Sequence, residues 1–278
     1  MPKQKLQVLD SAQALARVGD NGCFQFQMAL SLITTFTSTG FIIYSLGYLE
    51  KLPLFFCGEG AQPCSQEEAC LRNPHSYTTR YPLDKTNLIR KLSLQCATGS
   101  QIGLIGTIYF IGLTLGSLFL PPLADRYGRK KFILLSNLLH LVAVSGLLLA
   151  QSLAALYIFF FILGLKSPAA QHLSYVYIAE VVRKDKRALY STLALLGDCS
   201  TVMALPFYYF YAPDYTPLFI FSIGLVVFAS VGILFCVPES PRFLLVSAQY
   251  VEAAHSLNKI ASCNGRPLLD PANEVLAR

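Results

Sequence analysis

Six stretches of this chain are each about twenty residues long and almost free of charge, the length a helix needs to cross a hydrocarbon core about 30 Å thick. They run roughly from Phe24 to Tyr48, Ser100 to Leu123, Phe132 to Ala150, Leu153 to Val181, Leu189 to Tyr211 and Pro217 to Val237. Only 14% of the 278 residues are charged and 54% are hydrophobic, against about 25% charged in a soluble domain. The runs are too long, and too apolar on every face, for the alternation of a barrel strand. The first starts late and lacks the small-residue cleavage site of a signal peptide. These features exclude a disordered chain, a collagen and a typical cytosolic enzyme. They predict an all-α, multi-pass membrane protein with the lipid bilayer as its solvent.

Orientation follows from Lys and Arg in the short turns. Arg126, Arg129, Lys130 and Lys131 follow the second run, and Arg183, Lys184, Lys186 and Arg187 follow the fourth. Arg242, Lys259 and Arg266 follow the sixth, and Lys3, Lys5 and Arg17 precede the first. The turn after the third run has no Lys or Arg, and the turn after the fifth has only Asp214 as a charge. Both termini are therefore expected in the cytoplasm, with residues 1–23 as an amino-terminal segment, 24–237 as the six-span domain and 238–278 as a cytoplasmic helical segment that looks truncated. The net charge of +6 sits in short blocks between spans rather than on one soluble face, so no nucleic-acid partner is expected.

The long loop, residues 50–98, carries four of the eight cysteines: Cys57, Cys64, Cys70 and Cys96. The topology places it outside the cytosol, where disulfides persist. Four cysteines allow three pairings, and the sequence does not choose among them. A zinc site is disfavoured because no C-x-x-C spacing occurs and the nearby His is His75 alone. After the sixth run, Phe243, Leu244, Val251, Ala254, Leu257 and Ile260 recur at helical spacing, which predicts one amphipathic helix from Phe243 to Ala261.

The turn after the second run reads Pro121-Pro122-Leu123-Ala124-Asp125-Arg126-Tyr127-Gly128-Arg129-Lys130-Lys131. Gly128 can adopt a positive φ at little cost. Asp125 can cap the amino end of the next helix, and Arg129 can fork onto a carboxylate elsewhere. This stretch resembles the loop signature of the major facilitator superfamily, G-x-x-x-D-R-x-G-R-[KR]. Pro121 stands where that family has its first Gly, which permits close helix approach. Val176-Tyr177-Ile178-Ala179-Glu180 resembles the V-Y-I-x-E ending of the fourth span in sugar and organic-ion transporters. Pro238-Glu239-Ser240-Pro241-Arg242-Phe243-Leu244-Leu245 resembles their P-E-S-P-R-W-L-L signature. The long cysteine-bearing loop ending in Leu94-Gln95-Cys96 is similar to that of the organic cation/anion transporter family, whereas sugar porters have a shorter loop.

The resemblance implies a six-helix bundle equivalent to the amino-terminal half of the major facilitator fold. It further implies transport of small organic ions or related solutes by alternating access at the plasma membrane, with sugar transport as the alternative. It also implies that Asp125, Arg126, Gly128, Arg129, Glu180, Arg183, Glu239 and Arg242 form a cytoplasmic latch that closes when the carrier faces outward. A full carrier has two such halves, so a second six-helix half or a second copy is an implied partner. A non-transporting membrane protein that binds a partner is the alternative of another class.

Ionisable residues at membrane depth are functional candidates. Lys166 lies about 13 residues into the fourth run and Asp198 about 9 into the fifth, which puts both near mid-membrane at 1.5 Å per residue. They are expected either to pair or to line the substrate cavity, with Asp198 suited to a cation and Lys166 to an anion. His172 and Gln27 are further cavity candidates, and His140 is assigned to packing. Phe207 to Tyr211 form an aromatic cluster expected at the membrane interface. The chain has no Walker A, G-x-S-x-G, H-E-x-x-H or dinucleotide fingerprint. No enzyme activity, cofactor or metal site is expected, and transport is expected to run on gradients.

Overall fold

The computed structural model describes residues 7–9, 11–19, 22–58, 62–72, 77–80, 86–212, 214–268 and 274–276. Lys3, Lys5, His75 and the side chain of Lys184 lie outside the described residues. Among the described residues six helices are long and apolar enough to span a membrane: Cys23–Leu49, Gly99–Tyr127, Arg129–Leu149, Leu153–Val181, Asp185–Tyr211 and Thr216–Phe235. They match the six expected runs. The fifth helix starts earlier than expected, at Lys184, because hydropathy reads the charged turn as a break whereas Arg183, extended, simply caps it. The sixth stops at Phe235 rather than Val237. Its last carbonyls accept from two lysines, Leu234 O from Lys130 Nζ at 3.1 Å and Phe235 O from Lys259 Nζ at 2.7 Å. Cations there also complement the helix dipole.

The second span packs most extensively on the fourth, the first on the sixth and fifth, and the third on the fourth and sixth. The second and fourth meet backbone to backbone. A Cβ on Gly112 or Gly116 would run into the carbonyl oxygens of Phe161 and Leu165, and one on Gly164 into Tyr109 O. This spacing of small residues is how membrane helices gain packing without a hydrophobic driving force. Pro121, standing at the family's Gly position, lies within the second helix. The close approach comes instead from Gly112 and Gly116, earlier on the same helix.

Two apolar clusters stack along the bundle. One, at the arginine-bearing end, includes Phe24, Met28, Ile133, Tyr177, Ile233 and Leu257. The other, at the disulfide end, includes Ile105, Val144, Leu156, Phe160, Leu205 and Phe219. Between them in every contributing span lies a layer of buried polar side chains: Thr35, Ser38 and Thr39, then Ser136, Asn137 and His140, then Lys166 and Ser167, then Ser222. Exposed residues on the outer faces, such as Phe110, Leu118, Met203 and Phe207, are apolar, as lipid contact requires. Within the aromatic cluster Tyr209 departs from that pattern: it is buried and stacks on Tyr48 at 4.4 Å between ring centroids.

The loop after the first span contains a small sheet, with Leu54–Cys57 antiparallel to both Gln62–Cys64 and Tyr77–Arg80. The disulfides are Cys57–Cys64 and Cys70–Cys96, which resolves the three pairings left open by the sequence. The second closes a separation of 26 residues. Replacing Cys70 by serine is expected to destabilise the loop by about 3 kcal/mol, from the entropy restored to the open chain. Limited proteolysis should then cut faster between Gln66 and Gln95, while the spans stay protected.

The segment after the sixth span departs from the expected single helix. It forms two, Pro241–Val246 and Tyr250–Cys263. Ser240 caps the first by accepting from Phe243 N. Ala248 then takes a φ of 59°, with its N–H on Leu245 O and that of Gln249 on Leu244 O. This paired closure ends a helix through a left-handed residue, a role usually given to Gly. Val251, placed on the apolar face by periodicity, is 84% exposed, whereas Ala253, Leu257 and Ile260 are buried. Asn264 ends the second helix and joins it to the segment that leads into the first span. Its Nδ2 donates to Val18 O, Gly19 O and Gln25 Oε1, and its Oδ1 accepts from Phe24 N.

Candidate functional site

The residues singled out from the sequence fall into two groups, one at the arginine-bearing end and one in the polar layer. At the arginine end, Gly128 is the single residue between the second and third helices, with φ 109° and ψ 139°. A Cβ there would sit 2.6 Å from Glu239 Oε2, so backbone conformation and space both require glycine. The turn lets Glu239 Oε1 accept from Arg129 N at 3.0 Å, Lys130 N at 3.2 Å and Ser240 N at 3.1 Å. Glu239 therefore caps the third helix from more than a hundred residues away in sequence. An anion is stabilised at that position by the open N–H groups and the dipole. Asp125, expected to make this cap, instead accepts from Arg129 Nη2 at 2.9 Å and Nε at 3.2 Å, one turn along the helices.

Arg129 is the centre of this end. Its Nη1 pairs with Glu180 Oε2, and the two side chains are 14% and 12% exposed. Glu180 Oε2 also accepts from Ser240 Oγ at 2.8 Å. Tyr177, fully buried, donates to Pro238 O at 2.6 Å, and Ser256 Oγ donates to Glu239 O at 2.7 Å. The ends of the second, fourth and sixth spans and the last helix are thus tied through Arg129, Glu180, Glu239 and Ser240. Ser240 and Tyr177 were not among the expected site residues, although both sit inside the quoted signatures. Three expected members lie outside the cluster. Arg183 pairs with Asp185 at 2.8 Å, both side chains more than half exposed. Arg126 lies over the Tyr127 ring. Arg242 is exposed, and no ion pair among the described residues includes it.

In the polar layer the expected Lys166–Asp198 pair is not formed. Lys166, 1% exposed, donates from Nζ to Thr39 Oγ1 at 2.6 Å and meets His140 Nδ1 at 2.9 Å. Asp198 instead accepts from Tyr44 OH at 2.7 Å. The first span stands between them: Thr39 faces Lys166, while a Cβ on the next residue, Gly40, would be 2.8 Å from Asp198 Oδ1. Depth along a helix is readable from sequence, but rotation about its axis is not. His140, assigned to packing, is fully buried and bonded on both ring nitrogens, with Nε2 2.9 Å from Ser222 Oγ. His172 is exposed in a π-helical turn, Ala169–Leu173, that follows Pro168. Gln27 lies at the arginine end beside Cys263, outside the polar layer.

Just beyond the first span at the disulfide end, burial pushes the Glu50 carboxyl up to about 7 from an ordinary 4.5, and its Oε1 is buried without a hydrogen-bond partner. The folded chain therefore holds this proton more tightly than the unfolded one. The stability this provides is complete below about pH 4.5, declines as pH rises to about 7 and is flat above. Glu50→Gln is expected to remove that decline, which thermal unfolding across this pH window will read.

The family described as "Sugar (and other) transporter" matches residues 29–275 of the 278. The chain belongs to that family. Among transporters of known sequence it is 30% identical over 195 residues to solute carrier family 22 member 1 of Oryctolagus cuniculus, covering 69% of this chain and 34% of that protein. It is 28% identical to solute carrier family 22 member 2 of Rattus norvegicus, over 67% of this chain and 33% of the relative. The chain thus spans about a third of the length of these relatives. Among solved structures it is similar to the major facilitator superfamily proton:xylose symporter XylE, with a TM-score of 0.54 at 16% identity over 88% of this chain and 50% of that one. An inward open conformation of XylE from E. coli aligns with a TM-score of 0.52 at 15% identity, over 88% of this chain and 57% of that one. The fold is that of six helices of a major facilitator transporter in a multi-pass membrane protein, as the motifs implied.

Proposed function

We propose that the chain is the amino-terminal six-helix half of a carrier that moves small organic ions across the plasma membrane by alternating access, with both termini in the cytoplasm. The observation that carries this reading is the likeness to solute carrier family 22 members, at 28–30% identity over about two thirds of the chain. In this reading residues 1–23 and 238–278 lie in the cytoplasm around a domain of residues 24–237. Arg129, Asp125, Glu180 and Glu239 form a latch at the membrane rim, built on Gly128, while Arg126, Arg183 and Arg242 act as positive-inside anchors. A set of ion pairs worth a few kcal/mol biases a rocking equilibrium without freezing it. A second six-helix half, or a second copy, completes the cavity, and Asp198 favours a cationic solute.

Sugar transport is the second reading, favoured by the family's description and by the XylE fold. The test is uptake into proteoliposomes of labelled organic cations, organic anions and hexoses, by the chain alone and by the chain joined to a second six-helix half. Saturable uptake of an organic ion is expected. Saturable uptake of hexose alone favours the second reading, and uptake of none of them under any arrangement defeats both.

A further inference from the structure

Lys166 and His140 form a hydrogen-bonded pair of bases in the middle of the bundle, 1% and 0% exposed. The hydrogen-bond network assigns their protons. Ser222 Oγ donates its single hydrogen to Ser38 O at 3.0 Å. It must therefore accept from His140 Nε2–H, 2.9 Å away. With the ring proton on Nε2, Nδ1 presents a lone pair, and Lys166 Nζ donates to it at 2.9 Å. The imidazole is thus neutral, and both of its nitrogens are used.

Nζ has two acceptors, Nδ1 and Thr39 Oγ1. A neutral amine has two N–H groups, and an ammonium has three. Two acceptors fit the amine and leave an ammonium with one N–H unbonded in a dry interior, a costly arrangement. Among the described residues no carboxylate bonds Nζ to balance a charge here. The first span offers only Thr39 and Ser38, the sixth Ser222, and the third Asn137, which bonds Thr35 and Ser230. The second span offers Tyr109, whose OH is 3.1 Å from Ser167 Oγ. The fifth span's Asp198 lies beyond Gly40 and bonds Tyr44.

We propose that this cluster is a proton-binding site within the bundle, with Lys166 Nζ as the acceptor and His140 as the residue that positions it. The site is empty of its proton in the arrangement described. The Nζ lone pair takes a proton from hydronium when the spans open the layer; an N–H bond forms, an O–H bond of the hydronium breaks, and water is left. The resulting ammonium has a third N–H to place. Asp198 Oδ1 of the fifth span, buried and without a hydrogen-bond partner, is an unsatisfied acceptor beside Gly40, the residue after Thr39. Proton binding thus favours an arrangement of the fourth and fifth spans different from this one. The inference is independent of which solute is carried.

The test counts protons taken up when the purified chain, in lipid nanodiscs in unbuffered solution, is unfolded by sodium dodecyl sulfate at pH 8. An exposed lysine, with a pKa of about 10.4, is charged at that pH and an exposed histidine is not. Unfolding the wild type should take up one proton more than unfolding Lys166→Gln, whose amide offers the same two N–H donors and so preserves the fold. His140→Asn keeps an acceptor for Nζ. It should match the wild type at pH 8 and take up about one proton fewer at pH 5.5, where an exposed imidazole is charged. Equal uptake by the wild type and Lys166→Gln at pH 8 would show the amine already charged and overturn the proposal. Equal uptake by the wild type and His140→Asn at pH 5.5 would do the same, by showing the imidazole already charged in the folded chain.

Discussion

Replacing Gly164 by alanine is expected to lower the melting temperature of the detergent-solubilised chain by about 5 °C. The added Cβ would overlap Tyr109 O and lie 2.9 Å from Leu113 N. Both are backbone atoms of the second span, which has no flexible side chain to swing aside there, so the helices must separate. Overpacking a filled interior costs about 1–3 kcal/mol and sometimes more. Parting the second and fourth spans also strips contact from the most extensive helix pair in the bundle. A loss of about 3 kcal/mol corresponds to a shift of roughly 5 °C in a chain of this size. Gly103→Ala is the control, because a Cβ at Gly103, on the second span, would meet nothing within 4 Å. A shift for Gly164→Ala no larger than that for Gly103→Ala would refute the backbone-to-backbone approach.

Arg129→Ala should have a comparable effect by another route. Glu180 is left 12% exposed with Ser240 Oγ as its remaining donor. Removing one partner of a nearly buried pair costs about 3–5 kcal/mol, because the other charge stays desolvated. Arg129→Lys should recover part of the loss, since a point charge reaches Glu180 or Asp125 but cannot fork between them. The double variant Arg129→Ala with Glu180→Ala should be less destabilised than the sum of its single changes, the signature of direct coupling. Additive losses in thermal unfolding would mean that the two side chains do not depend on each other.

The membrane spans were legible because lipid leaves the backbone few options: each run of about twenty apolar residues must close its own hydrogen bonds. What the sequence blurred lay at water-facing ends. Charge before Leu189 read as a turn, yet helix continues there. Ala248 sits where a left-handed residue ends a helix, and alanine carries no signal for that conformation. At the arginine end, the signatures pointed to Arg129, Glu180 and Glu239 but not to their geometry. Glu239 caps a helix whose first residue is 110 positions away, a relation no local pattern contains. In the polar layer, hydropathy gave the depth of Lys166 but not its partner. His140, 26 positions earlier, looked like one more packed side chain because nothing in a linear sequence reports how two helices are turned toward each other.

Asn264 draws a further consequence. One side-chain amide holds the carbonyls of Val18 and Gly19 and the Phe24 N–H of the first spanning helix, so the approach to the first span and the close of the helix Tyr250–Cys263 share a single knot. A tag, cleavage or bulky label placed before Gly22 will tug on whatever leaves residue 264, and strain arriving from beyond that residue will be felt at the entrance to the first span. Probes attached to either segment will therefore report on both.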